Sequence, residues 1–263
     1  MIELYHHSTS VCAAKVRLVL GEKTLEWTGR YIDIMKGEQF APEYIRLNPK
    51  AVVPTLVHDG RVIRESTVID EYLDEVFPAP PLEPADAAER ARMRIWTKMV
   101  DEALHVCCAA VTFSLFHRHT VLKLPPAELE AVIQNTRDPV FRERKRAWIH
   151  KGIEAPDVKD ALKFHDKVLA EMEAALSESE WLAGANYSLA DVSLTPYVNR
   201  LDMLGLAAMW GGRPRVSEWF GRIQNRPNFK PAVIDWIPEP MANAMRANGS
   251  AEWLYVEKAL HAA

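Results

Sequence analysis

The first 77 residues of the chain show an order of predicted elements that few folds accommodate. A short strand at Glu3-Leu4-Tyr5 is followed by a polar loop, a helix from Val11 to about Gly21, and a second strand over Trp27–Ile34. A strand, a helix and a strand at this spacing predict a parallel pair with a right-handed crossover. Val52–Val57 predicts a third strand, and Asp59-Gly60 predicts a tight turn into a fourth. The sequence therefore predicts a four-stranded mixed sheet with helices on both faces.

Two dipeptides, Val53-Pro54 and Glu65-Ser66, flank the predicted hairpin and carry groups suited to binding a ligand. Pro54 follows Val53 at the start of the third strand, where a residue without an N–H group is tolerated. The backbone of Val53 is therefore predicted to be available for pairing outside the sheet. Glu65-Ser66 stands where the fourth strand gives way to a helix, with Ser66 predicted as the N-cap. Such a helix start is a favourable place for an anion.

Composition and charge exclude several classes of function. A formal net charge of −4 offers no electrostatic basis for binding nucleic acid. We expect no membrane-spanning apolar run and no signal peptide before Glu3. Cys12, Cys107 and Cys108 show neither a disulfide framework nor the spacing of a zinc site. These observations predict a cytoplasmic protein without a metal centre.

A proline-rich segment at residues 78–84 predicts a stiff linker between two domains, 1–77 and 85–263. Beyond it, apolar periodicity predicts only helices. These helices are expected over 87–117, 157–176, 188–204 and 216–224, and Ser188–Asp191 predicts a capping-box-like start for the third of them. The predicted fold class is thus α/β plus all-α. The second domain includes an insert near 119–156, whose basic cluster is either a solvated helix surface or a site for acidic partners. The tail after Phe229 is also long and contains Trp236 and Trp253, and we expect the insert and the tail to cover a cleft or the edge of a dimer.

Several stretches share their order and spacing with a known family. They are Leu4-Tyr5, Ser10–Lys23, Asn48-Pro49, Val53–Leu56, Asp59-Gly60, Glu65–Leu73, Tyr187–Asp191 and Asn225–Phe229. The pattern resembles the soluble glutathione transferases and, within them, the bacterial glutathione-dependent β-aryl etherases. The resemblance implies a thioredoxin-like N-terminal domain and a helical C-terminal domain. It also implies glutathione as co-substrate, a small hydrophobic electrophile, a role in detoxification, and a homodimer.

The resemblance also implies which residues hold glutathione. Val53 would pair through its backbone with the cysteinyl part, made accessible by Pro54 in the cis form. Glu65 and Ser66 would hold the γ-glutamyl ammonium and carboxylate groups, and Lys50 would reach the glycyl carboxylate. The alternative for Glu65 is a surface acid beside the preceding arginine.

Catalysis requires the thiolate of glutathione, because the thiolate is the nucleophile. A free thiol has a pKa of ~8.5. Lowering this pKa by about two units requires roughly 2.7 kcal/mol. One hydrogen bond to a charged acceptor supplies about 1.5–3 kcal/mol, so a hydroxyl suffices. Ser10 is the predicted catalytic residue, because serine-type transferases with a similar helix carry their hydroxyl at this distance before Val16. Ser8 and Thr9 stay open as alternatives, as does a capping role alone for Ser10.

Three function classes remain open from the sequence. The first is attack of the glutathione thiolate on a hydrophobic electrophile, with β-aryl ether cleavage as one such reaction. The second is a thiol oxidoreductase that uses Cys12 near the start of the first helix, and the third is a non-catalytic binding protein. The electrophile is expected between the two domains, against Ser8, Phe113 and His117. His6 and His7 are interpreted as either cleft or solvated loop residues.

Overall fold

The computed structural model describes residues 1–261 and begins with a four-stranded sheet. The strands are β1 Ile2–His6, β2 Thr28–Tyr31, β3 Thr55–His58 and β4 Arg61–Arg64, in the order β2-β1-β3-β4. β1 and β2 run parallel, whereas β1–β3 and β3–β4 are antiparallel. The predicted mixed sheet is therefore confirmed. Ala262 and Ala263, the last residues of the predicted helical domain, lie outside the described residues.

Three helices accompany the sheet. They are α1 Val11–Glu22, α2 Pro42–Leu47 and α3 Ser66–Val76, with a 3₁₀ turn at Glu38–Phe40. α1 is buried over most of its length and packs against α3. The third strand begins only after Pro54, as expected for a residue that cannot donate to the sheet.

The start of α3 corrects one prediction. Glu65, not Ser66, occupies the N-cap position, and no side chain makes a cap hydrogen bond there. Glu65 has a φ of 66°, so the chain turns sharply one residue earlier than the sequence suggested. Ser66 is consequently the first helical residue, and its N–H group has no acceptor within the helix itself.

The rest of the described chain is largely helical, as predicted, with one isolated antiparallel bridge between Trp181 and Gly184. A continuous segment contains α4 Ala87–Met99, α5 His105–Thr112 and α6 Arg118–Val121, joined by π-helical turns at Val100–Leu104 and Phe113–His117. The further α-helices are α7 Pro126–Gln134, α8 Pro139–Lys151, α9 Val158–Glu178, α10 Leu189–Met203, α11 Pro214–Gln224, α12 Glu239–Ala251 and α13 Trp253–His261. Shorter turns lie at Gly152–Glu154, Ala207–Trp210 and Lys230–Ile234.

The segment Ala87–Val121 meets the length and composition of a membrane-spanning helix, contrary to the expectation from the sequence. Half of its apolar window is buried inside the structure. The core helix of a water-soluble protein has the same properties, so this likeness is weak evidence for a membrane span.

The described residues form two compact units. The first comprises 1–98, 178–196 and 219–238, and the second comprises the remaining described residues. Within the first unit, a buried ion pair holds the proline-rich segment in place. Lys23 Nζ lies 2.6 Å from Asp74 Oδ1 and donates to the carbonyl oxygens of Phe77 and Pro80. Asp74 also accepts from the backbone N–H of Leu82 at 2.8 Å.

The insert has a small hydrophobic core within the second unit. Val121, Ile133 and Ile149 are fully buried there. Two of the basic side chains have acidic partners within the described residues, and one of them, Arg146, donates twice to Glu130, at 2.7 and 2.8 Å. Another arginine of the cluster, Arg144, binds an aspartate at the start of the next segment. Ion pairing within the insert favours a solvated helix surface over a site for acidic partners.

Candidate functional site

The sheet register brings three segments of the predicted site to the same end of the first unit. Tyr5 is opposite Thr55, and Thr55 is opposite Arg64. The ends of β1 and β4 and the start of β3 therefore lie at the same end of the sheet. The loop before α1, the loop before β3 and the start of α3 all adjoin this end.

Ser10 is the N-cap of α1. Its Oγ accepts a hydrogen bond from the backbone N–H of Ala13 at 3.1 Å, and the side chain is half-buried. A serine hydroxyl has one hydrogen to donate besides its acceptor lone pairs. Because the cap uses only an acceptor, the hydrogen of Ser10 stays available for a thiolate. Capping and catalysis are therefore compatible at this residue.

The other two hydroxyls of the loop have different surroundings. Ser8 Oγ lies 3.3 Å from the hydroxyl of Tyr31, whose side chain is half exposed. Thr9 is buried, and its N–H and Oγ1 both lie within hydrogen-bond distance of His7 Nδ1, at 3.2 and 3.0 Å. His6 and His7 are buried, so the solvated-loop interpretation of both does not hold. Tyr31 was not predicted as a site residue, and its strand pattern carries no signal for that role.

The loop before β3 is fixed from inside the unit. The Val53–Pro54 bond is cis, which confirms the prediction. The carbonyl oxygen of Val52 accepts from Tyr44 Oη at 2.6 Å and from Asn48 Nδ2 at 2.9 Å. Val53 itself is half-buried and Pro54 is buried. Sequence reasoning did not identify Tyr44 as an anchor of this loop.

Lys50 and Glu65 form an ion pair, with Nζ and Oε1 2.7 Å apart. Both side chains are exposed, whereas the neighbouring Ser66 is buried. The ammonium and carboxylate assigned to opposite ends of glutathione thus contact each other. Both groups are accessible to a charged ligand.

Phe113 and His117 lie in the second unit, on the π-helical turn that joins α5 to α6. Their ring centroids are 4.8 Å apart, and Phe113 also lies 6.1 Å from Trp148. Lys145 Nζ is 5.3 Å from the Phe113 ring centroid. Burial lowers the pKa of Lys145 to about 8. Within this unit the two predicted substrate residues therefore belong to an aromatic cluster with a nearby amine.

The three cysteines remain thiols. Cys12 is half-buried in the first turn of α1, and Cys108 is buried. Burial raises the pKa of Cys107 to about 11, which makes its thiol a poor nucleophile. Across residues 1–261, no three His, Cys, Asp or Glu side chains are grouped so that they could hold a metal ion.

Two family profiles match the chain. The one described as "Glutathione S-transferase, N-terminal domain" matches residues 4–81, and "Glutathione S-transferase, C-terminal domain" matches residues 108–227. Protein LigF of Sphingobium sp. strain SYK-6 is 32% identical over 239 residues, which cover 87% of this chain and 91% of LigF.

Two further relatives and one solved structure are similar to the chain over most of its length. The tetrachloro-p-hydroquinone reductive dehalogenase of Sphingobium chlorophenolicum is 30% identical, over 89% of this chain and 96% of its own. A zeta-class glutathione S-transferase of Euphorbia esula is 39% identical, over 90% and 92%. The crystal structure of the β-etherase LigF superimposes with a TM-score of 0.79 and covers 88% of this chain and 98% of LigF. The chain therefore belongs to the glutathione S-transferase family, whose co-substrate is glutathione.

Proposed function

We propose that the chain activates glutathione with Ser10 and directs its thiolate to a hydrophobic electrophile. A C–S bond forms at the electrophilic carbon while the bond to the leaving group breaks. The leaving group departs with the electron pair and is then protonated. The observation that carries this proposal is the Ser10 cap, whose hydrogen stays available at the end of the sheet that also holds Val53–Pro54 and Glu65.

The remaining site residues have supporting roles in this proposal. Val53, with its cis bond to Pro54, presents its backbone to the cysteinyl part of glutathione. Glu65 and Ser66 hold the γ-glutamyl end, and Lys50 holds the glycyl carboxylate. Ser8 lines the electrophile site. We assign Phe113 and His117 to electrophile binding as well, because their rings form one aromatic cluster.

We propose a β-aryl ether as the electrophile. The similarity to LigF extends over most of both chains, and LigF is a β-etherase. In this reaction the thiolate displaces a phenolate from the carbon that carries the ether oxygen, leaving a glutathione thioether.

The test compares two substrates with purified protein and glutathione. One is a β-aryl ether that releases a chromogenic phenol, and the other is an aryl halide. We expect release of the phenol with one equivalent of thioether. Protein that binds glutathione but converts neither substrate would contradict the transferase proposal and favour a binding function.

A second candidate is a thiol oxidoreductase centred on Cys12. Its support is the half-buried thiol in the first turn of α1 and the relative named as a reductive dehalogenase. Exchange at Cys12 would reduce a substrate disulfide to two thiols and convert two glutathione molecules to oxidised glutathione. Disulfide reduction that Cys12→Ala abolishes would favour this candidate.

We further propose that the protein is a cytoplasmic homodimer with a role in detoxification, and that residues 78–84 link a glutathione-binding domain, 1–77, to a helical domain, 85–263. The family resemblance supports each of these proposals. Light scattering at micromolar concentrations should give twice the chain mass of 29.8 kDa. A strict monomer over that range would contradict the dimer.

A further inference from the structure

Arg17 lies in the middle of α1 and has no role in the proposed reaction. Its side chain is buried, at 2% exposure. Nε donates to the carbonyl oxygen of Ala232 at 2.7 Å, the shortest of its hydrogen bonds. One terminal nitrogen lies 3.4 Å from His6 Nδ1 and from the His7 carbonyl oxygen, and the other lies 3.4 Å from the Ser8 carbonyl oxygen. Arg17 therefore joins the end of β1 and the following loop to residue 232.

Trp236 covers the guanidinium group. The Trp236 ring centroid lies 4.9 Å from Arg17 Cζ and 4.7 Å from the ring centroid of His6, edge to face. Its indole N–H donates to the Pro231 carbonyl oxygen at 2.9 Å, which closes the segment on itself. Residues 219–238 belong to the first compact unit, so this segment returns to the sheet end that carries Ser10.

The route from Arg17 to Ser10 passes through one carbonyl group. The His7 carbonyl oxygen accepts both from Arg17 and from the backbone N–H of Ser10, the latter at 3.3 Å. Because the peptide unit is planar and trans, the N–H of Ser8 faces away from Arg17. Arg17 thus determines the orientation of the 7–8 peptide and the place where the chain enters the Ser10 cap.

The charge of Arg17 is not balanced by an acid. All the acceptors that the structure gives it within residues 1–261 are carbonyl oxygens or a ring nitrogen. Burial lowers the pKa of Arg17 to about 9, so the group is still protonated at neutral pH. Burial also lowers the pKa of His6 to about 4, with the charge of Arg17 as a second cause, so His6 is neutral and can accept through Nδ1. A buried cation next to an anion-binding loop stabilises the anion.

We infer that Arg17 is a positioning residue for the thiol end of the glutathione site, and that Trp236 and the segment 229–238 keep it in place. This inference rests on the proposed function of Ser10. It assigns to the C-terminal part of the first unit a role in thiolate formation, through the charge of Arg17 and through the His7 carbonyl group.

The test measures the thiol pKa of bound glutathione by thiolate absorbance in the binary complex, together with kcat and KM. In Arg17→Met we expect the bound thiol pKa to rise by about one. The kcat at pH 7 should fall about threefold, as the thiolate fraction falls, with little change in KM for glutathione. Arg17→Lys retains a charge but not the set of donors, so it should recover part of the thiol pKa.

Arg226→Met is the matched control. Arg226 also joins α1 to the 219–238 segment, through two hydrogen bonds to Glu22 at 3.0 and 2.6 Å, but at the far end of the helix. It should lower thermal stability and leave the bound thiol pKa unchanged. If Arg17→Met does not fold, Trp236→Leu is tested in its place. This variant should also raise the pKa of the bound thiol.

The outcomes separate this inference from the proposed function. A folded Arg17→Met or Trp236→Leu protein with an unchanged thiol pKa would overturn the role of Arg17. Equal shifts in Arg17→Met and Arg226→Met would also overturn it, because they would show a general loss of structure. Wild-type protein that forms no glutathione thiolate would instead contradict the proposed function itself.

Discussion

At Ser10, one hydroxyl group caps the start of α1 and is also the group that we propose to stabilise the glutathione thiolate. The acceptor side of the hydroxyl is used by Ala13, while its hydrogen is not needed for the cap. Substitution therefore has two separable consequences: loss of the hydrogen bond to a thiolate, and loss of the cap. Glycine is tolerated as an N-cap far better than alanine, which provides a way to distinguish them.

We predict that Ser10→Ala and Ser10→Gly both lower kcat about 10- to 150-fold, because each removes a charged hydrogen bond of about 1.5–3 kcal/mol. Only the alanine variant should lose about 1 kcal/mol of helix stability. Steady-state kinetics and urea denaturation measure the two effects. Cys12→Ala should be nearly silent in the transferase assay. Full activity in both Ser10 variants, with loss in Cys12→Ala, would replace the hydroxyl mechanism by the redox one.

The Lys50–Glu65 ion pair suggests that binding of the glycyl end of glutathione by Lys50 is coupled to binding of its γ-glutamyl end by Glu65. In Lys50→Met we predict that affinity for glutathione falls by a factor of about 2 to 5, as for an exposed ion pair. Affinity for γ-glutamylcysteine, which lacks the glycyl carboxylate, should be kept or improved because Glu65 no longer has a competing cation. Calorimetric titration with both ligands tests this. An equal loss for the two ligands would show that Lys50 does not contact the glycyl end.

Among the elements, the start of α10 is held by several buried hydrogen bonds. Asp191 is buried and accepts from the N–H groups of Leu182 and Ser188 at 3.1 and 3.0 Å. It also accepts from the indole N–H of Trp219 at 2.8 Å. The Ser188 hydroxyl accepts from the backbone N–H of Ala190, the second residue of α10, at 3.3 Å, while Asp191 accepts from the N–H of Ser188. These reciprocal bonds give α10 the capping-box-like start that the sequence predicted. One carboxylate thus caps α10 and anchors both the 181–184 turn and α11.

Asp191→Ala should lower the free energy of unfolding by about 3 kcal/mol or more, because several buried donors lose their acceptor. Ser188→Ala removes only the cap and should cost about 1 kcal/mol. Chemical denaturation of both variants measures the difference. Similar costs for the two would show that the contacts of Asp191 with Leu182 and Trp219 contribute little.

For the whole molecule, two buried histidines make stability depend on pH. Burial is the main cause that lowers the pKa of His6 and of His165 to about 4. An unfolded histidine titrates near 6.5, so the unfolded chain binds more protons between these values. The stability from these residues is complete above pH 6.5 and is lost as the pH falls toward 4. Asp191 acts in the opposite direction, since burial raises its pKa to about 6.

We therefore predict a net loss of about 2–3 kcal/mol in unfolding free energy between pH 7 and pH 5. Two histidines outweigh one carboxyl group over this range. Urea denaturation at both pH values measures the loss. His165→Leu should reduce it, whereas His261→Gln, which changes an exposed imidazole, should not. A pH-independent midpoint would contradict the neutral, buried state of these histidines.

Local patterns in the sequence predicted much of the fold. The order of strands, the limits of α1 and the capping box of α10 all depend on residues within a few positions of one another. The Ser66 error is of the same local kind, because the sequence pattern does not reveal the positive φ of Glu65 that moves the cap by one residue. For the candidate site, Ser10 and the Glu65-Ser66 pair were predicted by position and by resemblance, and their roles stay predictions.

By itself, the sequence determined the element order, the helical character beyond the linker, and the family. Only the tertiary structure decided which distant groups surround the Ser10 loop. Tyr31 reaches Ser8 from the parallel strand, and Arg17 reaches Ala232 across 215 residues of chain. Helix and strand signals depend on residues that are near one another in the sequence. These contacts depend instead on how the folded chain packs. Their physical cause is burial, which brings Arg17 and Trp236 together although no local pattern relates them.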